Sequence, residues 1–325
     1  MYHFTQMLSS KFRTIFAISC AAFSLMLLGA PGLAQDDVIR VDTELITFEV
    51  SAVDAGGKPV RGLSADDFRI TVDGVERPVD FFRPVVDNTR TRPLIVVFAL
   101  DVSGSMTKEE IARLSDSVRY FAGKLTPGDS YFAVLAFAME IRTIRSFTNR
   151  PDKLSRSLDK LYHRQDGLST HGYDAVDQAV RMIAKKTPKS IRGRMQKRAV
   201  VVVTDGFPVG DIVSPATVIE RANDAETSVY AVILPSYSRL QRDRKPLLTP
   251  FEASGLIDKT GGSTFYATGK DMDRLFDSIA DEITSSYAIA FYAKEGDKEK
   301  PHTVKIESKR GFTVTQNRTT FGGAQ

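Results

Sequence analysis

The chain has 325 residues, of which 42% are hydrophobic and 26% are charged. This composition is typical of a globular protein with one large domain and a smaller one, and it argues against low-complexity disorder. The formal net charge is +4. If Lys11 and Arg13 are removed with an N-terminal signal, 42 basic residues remain against 40 acidic ones. So small an excess of positive charge gives little support for a nucleic-acid partner.

Residues 1–34 have the pattern of a secretory signal peptide. Lys11 and Arg13 precede an apolar run from Thr14 to Ala30, and Gly32-Leu33-Ala34 fits a cleavage site. The alternative is an uncleaved membrane anchor, because the run is close to the roughly 17 residues that can span a bilayer. In both cases we expect the bulk of the protein to be exported and to be periplasmic, on the cell surface or secreted.

The only cysteine, Cys20, lies inside this apolar run. Lipid attachment there is a poor alternative, because Ala17 stands where a leucine is expected. After cleavage the chain would have no thiol, no disulfide and no transmembrane segment. Its stability would then depend on a hydrophobic core.

Residues 35–90 are predicted to form β-strands. From Ile46 to Ala52 apolar residues alternate with polar ones, which is the pattern of a strand with one buried face. Asp73-Gly74 is a strong hairpin signal, because both residues tolerate positive φ. The polar stretch from Asp87 to Pro93 is interpreted as a linker.

Residues 91–286 are predicted to form an α/β domain. Leu94 to Leu100 is a continuous apolar run, as expected for a parallel strand that is covered on both faces. Thr107-Lys108-Glu109-Glu110 fits a capping box at the start of an amphipathic helix. Further strands are predicted at 131–137, 141–147, 199–204, 228–234 and 263–267, and further helices begin near Tyr173 and Met272. The alternation predicts a doubly wound, mainly parallel sheet with helices on both faces.

The C-terminal residues 287–325 return to a β pattern. Fewer than about 50 residues at either end would make a weak domain alone. We therefore expect these strands to pair with residues 35–90 in a small β-sandwich, with the α/β domain inserted between its two parts.

Oxygen-bearing side chains follow two of the predicted strands and precede one helix. Asp101-Val102-Ser103-Gly104-Ser105 comes directly after the buried strand 94–100, Asp205 follows the strand 199–204, and Thr170 precedes the helix near Tyr173. Ligands of open α/β sheets bind at the carboxyl ends of the strands, so these loops are expected to meet. Two carboxylates and three hydroxyls suit a hard cation, with Mg²⁺ favoured and Mn²⁺ or Ca²⁺ as alternatives. The absence of histidine and cysteine from the set disfavours zinc.

Two other interpretations of this pattern are weaker. Asp, Ser and Gly after a strand are common turn and cap residues, but a purely structural role does not explain three loops that coincide at one edge. A phosphotransfer enzyme with Asp101 as nucleophile would need a second aspartate at position 103, where this chain has serine. No catalytic residues and no organic cofactor are predicted, and the protein is not expected to be an enzyme.

Together these residues resemble the metal-ion-dependent adhesion site of von Willebrand factor type A domains, over roughly Pro93 to Ala293. The resemblance implies that Ser103, Ser105 and Thr170 contact a metal ion, while Asp101 and Asp205 act directly or through water. The neighbouring Ser169 is an alternative to Thr170. The resemblance also implies that movement of the last helix, Asp271–Ile283, can change the affinity of the metal site.

The flanking segments are similar to those of a bacterial family, the acidobacterial-type von Willebrand factor A-related proteins. The similarity rests on Gly62-Leu63-Ser64-Ala65-Asp66-Asp67-Phe68, on Val72-Asp73-Gly74-Val75 and on Ser286-Tyr287-Ala288-Ile289. In the last strands Ala290-Phe291-Tyr292 replaces the Gly-Tyr that is usual in the family.

The resemblance implies a non-enzymatic adhesion or scaffold module that captures an Asp or Glu carboxylate of a protein partner through the metal ion. The alternative is an envelope assembly subunit that binds through an edge of the β-sandwich. The sequence does not determine the oligomeric state. His171 is interpreted as an exposed loop residue, with a place in the lining of the site beside Thr170 as the alternative. The basic stretch from Lys185 to Arg198 is interpreted as a solvated loop, with a surface for an anionic partner as the alternative.

Overall fold

The computed structural model describes residues 45–84, 92–104, 106–125, 129–162, 169–188, 190–191, 194–234, 248–267, 272–294, 296–297 and 299–323. The predicted signal peptide, most of the predicted linker and Ser105 lie outside the described residues. Thr43–Gln325 form one compact unit. In the described part of the chain, no helix has both the length and the apolar character that crossing a membrane requires.

The strands follow the predicted ones closely, with a few short additions. They are β1 Leu45–Val53, β2 Phe68–Val72, β3 Val75–Arg77, β4 Phe81–Pro84, β5 Leu94–Asp101, β6 Tyr131–Phe137, β7 Ile141–Thr148, β8 Ser190–Ile191, β9 Arg194–Met195, β10 Lys197–Thr204, β11 Thr227–Ile233, β12 Thr264–Tyr266, β13 Tyr287–Tyr292, β14 His302–Ser308, β15 Thr313–Gln316 and β16 Thr320–Phe321.

The described helices include the predicted ones and three more. They are α1 Lys108–Leu125, α2 Pro151–Leu158, α3 Gly172–Lys186, α4 Pro215–Asp224, α5 Pro250–Ala253 and α6 Met272–Ser285, with short 3₁₀ turns at Ala65–Asp67 and Asp258–Thr260. The capping box predicted before α1 is confirmed: the Glu110 N–H donates to the Thr107 hydroxyl at 3.1 Å, and the Thr107 N–H donates to the Glu110 carboxylate at 2.8 Å.

The central sheet has six strands in the order β12-β11-β10-β5-β6-β7. The first five are parallel, and β7 runs antiparallel to β6. Alternate residues of β5 pack on opposite faces: Val97 lies with α3, α4 and α5, and Phe98 lies with α1, α2 and α6. Because both faces are covered, the middle strands are apolar throughout. The predicted fold class, a mainly parallel sheet with helices on both faces, is confirmed.

Two antiparallel sheets pack against each other around a core of their own. Their strands come from the segments before and after the α/β segment in the chain. Their strand orders are β15-β1-β13-β4 and β16-β14-β2-β3. Phe48 and Phe291 from one sheet share a core with Ile70 and Ile306 from the other. The chain crosses from one sheet to the other between β14 and β15, and the Gln316 side chain bridges the sheets by hydrogen bonds to the backbone of β14.

A buried group of charges joins β1 to the amino ends of the central strands. The Glu49 carboxylate accepts hydrogen bonds from Arg92 at 2.5 Å and from Lys197 at 3.4 Å. All three side chains are almost fully buried. The Lys197 ammonium also donates to the Ser228 hydroxyl at 3.0 Å. Burial raises the pKa of Glu49, but the charges of Arg92 and Lys197 outweigh this effect and hold it below its usual value.

The interpretation of the basic stretch as a solvated loop is wrong for its last two residues. Lys197 and Arg198 begin β10, and only 1% and 5% of their surfaces are exposed. Arg198 donates to the carbonyls of Ala225 and Pro188. Lys197 therefore neutralises the buried Glu49 carboxylate, and Arg198 supplies hydrogen-bond donors to two backbone carbonyls.

Candidate metal site

Asp101 is the last residue of β5, at the carboxyl end of the central sheet, and it is fully buried. One carboxylate oxygen accepts the Ser103 N–H at 2.9 Å, and the other accepts the Thr204 hydroxyl at 2.9 Å. The Ser103 side chain forms a further hydrogen bond to it. Among the described residues, no lysine, arginine or histidine forms an ion pair with Asp101.

The electrostatics of Asp101 reflect this environment. Burial raises the pKa of its carboxyl to about 6, although the hydrogen bonds from Ser103 and Thr204 favour the charged form. The nearby charge of Asp205 raises it further. Two carboxylates therefore lie close together, one of them deep in the protein, without a described positive charge between them. Such a pair would be stabilised in its charged form by a cation.

Each residue of Thr204-Asp205-Gly206, at the end of β10, has a structural role in the turn beside Asp101. Thr204 is paired with the end of β11, and its hydroxyl is directed to Asp101. Asp205 accepts the Phe207 N–H at 3.1 Å, which forms a tight turn. Gly206 has a φ of +86°, and a Cβ there would lie 2.6 Å from the Thr249 side chain. Only glycine fits both the backbone conformation and the space.

Thr170 lies at the same edge of the sheet. Its N–H and carbonyl form a reciprocal bridge with Val209, both bonds being 2.9 Å long. Val209 belongs to the loop that begins at Asp205, so the bridge joins the second and third predicted ligand loops. The structure thus joins Ser103 to Asp101 by hydrogen bonds, places Asp205 near enough to Asp101 for their charges to interact, and joins Thr170 to the Asp205 loop, whereas Ser105 lies outside the described residues.

A second acidic cluster supports these loops and was not anticipated. His171, Asp174 and Asp211 have ligand atoms within 4.8 Å of one another. The Asp174 carboxylate accepts the N–H groups of Ile212 and Val213, while Asp211 accepts the N–H of Asp174 at 2.8 Å. Because each carboxylate caps the backbone of the other segment, the pair acts as a clasp between the start of α3 and the loop after β10.

His171 lies in the loop before α3, as predicted, but the expectation that it is exposed is wrong. About a fifth of its side chain is exposed, and its Nδ1 lies 2.9 Å from Asp174. An acidic residue in the first turn of α3 was visible in the sequence as a helix-capping signal. Its partner on a separate loop was not, because that contact is made between segments distant along the chain.

The predicted ligands lie inside a segment that matches a known protein family. Residues 96–247 match the von Willebrand factor type A domain. The match begins inside β5 and covers Asp101, Ser103, Ser105, Thr170 and Asp205. No curated protein matches the chain.

Several solved structures are similar to part of this chain. One is an aerotolerance-related membrane protein from Bacteroides fragilis, with 18% identity over 58% of this chain and 98% of that chain and a TM-score of 0.45. Another is the conserved hypothetical protein BatB from Bacteroides thetaiotaomicron, with 18% identity over 59% and 100% of the two chains and a TM-score of 0.42. A third is proximal thread matrix protein 1 from the mussel byssus with a zinc-occupied MIDAS motif, with 12% identity over 62% and 48% and a TM-score of 0.46.

Proposed function

We propose that this chain is an exported, non-enzymatic binding module that holds a divalent cation at Asp101, Ser103, Ser105, Thr170 and Asp205. The observation that carries the proposal is the Asp101 carboxylate, which is fully buried at the end of a central strand and has no described cationic partner. The side chains of the five candidate ligands all offer oxygen atoms to a cation. Such a set suits Mg²⁺, with Mn²⁺ or Ca²⁺ as alternatives.

The chain's own residues would hold and orient the site. Asp101 is fixed from two sides by Ser103 and Thr204. The Thr170 bridge to Val209 and the clasp between Asp174 and Asp211 fix the other two loops. When bound, the cation would supply a coordination position for a carboxylate of a protein partner. The binding is non-covalent, and no proton transfer or bond cleavage is needed.

The metal itself gives the first test. Titration calorimetry with Mg²⁺ and Mn²⁺ should show one site in the wild-type protein and none in Asp101→Ala. The exposed Asp116→Ala, in helix α1, serves as a matched control and should bind the metal as the wild type does. A wild-type protein that binds none of Mg²⁺, Mn²⁺ and Ca²⁺ in the same titration would show that the proposed site does not exist.

The partner gives the second test. Proteins retained from an envelope extract in Mg²⁺ should be lost in EDTA and lost in Asp101→Ala at any Mg²⁺ concentration. A partner that binds Asp101→Ala as tightly as the wild type, with or without Mg²⁺, would refute metal-bridged binding and would favour the alternative, an assembly subunit that binds through a sheet edge.

The structure gives that alternative less support. Among the described residues, the edge strands of the two small sheets are β4, β15, β3 and β16, and each has four residues or fewer. Short edges offer few unpaired backbone groups for the addition of a strand from another protein.

A further inference from the structure

Large exposed apolar side chains are concentrated around the proposed metal site. In the described part of the chain, five of the ten large hydrophobic residues with high exposure lie on, or next to, the loops that follow β6 and β10. Ile212 is 89% exposed, and Val209 is 51% exposed. We call this surface the apolar rim; it consists of Met139, Phe207, Val209, Ile212 and Leu248.

Backbone contacts connect the segments that carry the residues of the apolar rim. The Val209 segment is bridged to Thr170. The next residue, His171, donates its N–H to the Ala138 carbonyl at 3.1 Å, beside Met139. On the other side, Gly206 packs against Thr249, which follows Leu248 in the chain. The rim residues therefore lie on the Asp205 loop or on segments that contact it or the Thr170 loop.

The exposure of these side chains is fixed by the backbone. The N–H of Ile212 is bonded to the Asp174 carboxylate at 3.0 Å, so the residue is held in place while its side chain points outward. The carboxylates beside it are committed to internal bonds, as Asp174 and Asp211 cap each other's segments. On the described part of the Asp205 loop, the large exposed side chains are therefore apolar. Exposed apolar patches of this kind are typical of interaction sites.

We propose that the apolar rim binds the residues on either side of the partner's carboxylate. The partner is then a protein segment in which an Asp or Glu is flanked by large apolar side chains. This inference rests on the proposed function, because it takes the captured carboxylate from it. The side chains at positions 207, 209 and 212 carry no charge, so the flanking residues of the partner gain most by burying apolar surface against them.

A peptide display experiment tests this even though the natural partner is unidentified. The protein is presented, in Mg²⁺, with peptides that have a central Asp between two random flanks of equal length, and with a matched library that has a central Asn. We expect enrichment of Leu, Ile, Val or Phe next to the Asp and no enrichment from the Asn library. Enrichment of polar or charged flanks, or no enrichment, would overturn the proposal.

Matched variants then locate the contact. Val209→Ser and Ile212→Ser should each lower the affinity for the most strongly selected peptide by about tenfold. This is the effect expected from removing one buried aliphatic side chain. Val75→Ser is the control, because Val75 is 65% exposed but lies on the hairpin between β2 and β3. It should change the affinity by less than about twofold. Equal effects at positions 75 and 209 would contradict the inference.

The same experiment separates this inference from the proposed function. Apolar flanks that are selected equally in EDTA, or equally around Asn, would show that the metal-bridged mechanism fails, and the proposal would fail with it. Chelator-sensitive binding with polar flanks would leave the metal site intact and refute only the role of the apolar rim. Self-association in Mg²⁺ that competes with the peptide would identify a second copy of the chain as the occupant and would also overturn the proposal.

Discussion

Two carboxylates are buried at opposite ends of the central sheet, and they have partners of different charge. Glu49 lies near the amino ends of the strands and contacts two cations of its own chain, Arg92 and Lys197. Asp101 lies at the carboxyl end, where Ser103 and Thr204 give it only neutral hydrogen-bond donors. A buried charge that is paired inside the protein supports the structure, whereas one that lacks such a pair is suited to receive a cation from outside.

The largest effect is expected from breaking the internal pair. Glu49→Ala leaves Arg92 and Lys197 buried beside each other without a counter-charge, and this should lower the free energy of unfolding by about 3–5 kcal/mol. Chemical denaturation followed by circular dichroism measures it. Glu76→Ala, at an exposed position on β3, is the control and should change stability by less than about 0.5 kcal/mol. A small loss in Glu49→Ala would mean that the junction is not held by these charges.

Neutralising Asp101 should have the opposite effect on stability. In EDTA at pH 7.5, Asp101→Asn should raise the free energy of unfolding by about 1–3 kcal/mol, because it removes a buried charge whose pKa is raised to about 6. Added Mg²⁺ should stabilise the wild type and leave the variant unchanged. If Asp101→Asn is destabilised in EDTA, the carboxylate is already well compensated inside the chain and the comparison fails.

The two carboxylates should also differ in their pH dependence. The pKa of Asp101 is higher in the folded state than the usual value of 3.8, so its contribution is most favourable below that value and is lost as the pH rises towards about 6. Relative to Asp101→Asn, the metal-free wild type should lose about 1 kcal/mol between pH 5 and pH 7.

Glu49 should behave in the reverse manner. Its pKa is lowered in the folded state, so its stabilisation is present above about 4.5 and is lost as the pH falls through the folded-state value. Denaturation curves of the wild type and Glu49→Gln between pH 3 and pH 7 should therefore converge at low pH. Parallel curves for the two variants would contradict the assignment of opposite roles.

The smallest effect on stability is expected from removing the hydroxyl groups that form hydrogen bonds with Asp101 and with Lys197. Thr204→Val removes the hydrogen bond to Asp101, and Ser228→Ala removes the one from Lys197. Each should cost about 1 kcal/mol of stability. Only Thr204→Val should also shift the pH midpoint of Asp101 upward, because the lost bond favoured the charged form. An equal shift in both variants would show that the two ends of the sheet are coupled.

Much of the fold was accessible from the sequence because its signals are local. The continuous apolar runs of β5, β10 and β11 and the amphipathic patterns of α1, α3 and α6 depend on neighbouring residues. The helices α2, α4 and α5 were not predicted, since they are short and have few buried residues of their own. The metal ligands themselves stay predictions, and the structure adds the positions of Asp101, Ser103, Thr170 and Asp205 around one edge of the sheet.

By itself, the sequence determined the sheet with helices on both faces and the loops on which oxygen ligands would meet, because strand periodicity and strand direction are encoded residue by residue. Only the tertiary structure decided what each charge does. Glu49 and Lys197 are 148 residues apart, and Asp101 and Thr204 are 103 apart. Whether a buried carboxylate meets a cation or only neutral donors depends on which distant segments pack against it, and no local pattern records that packing.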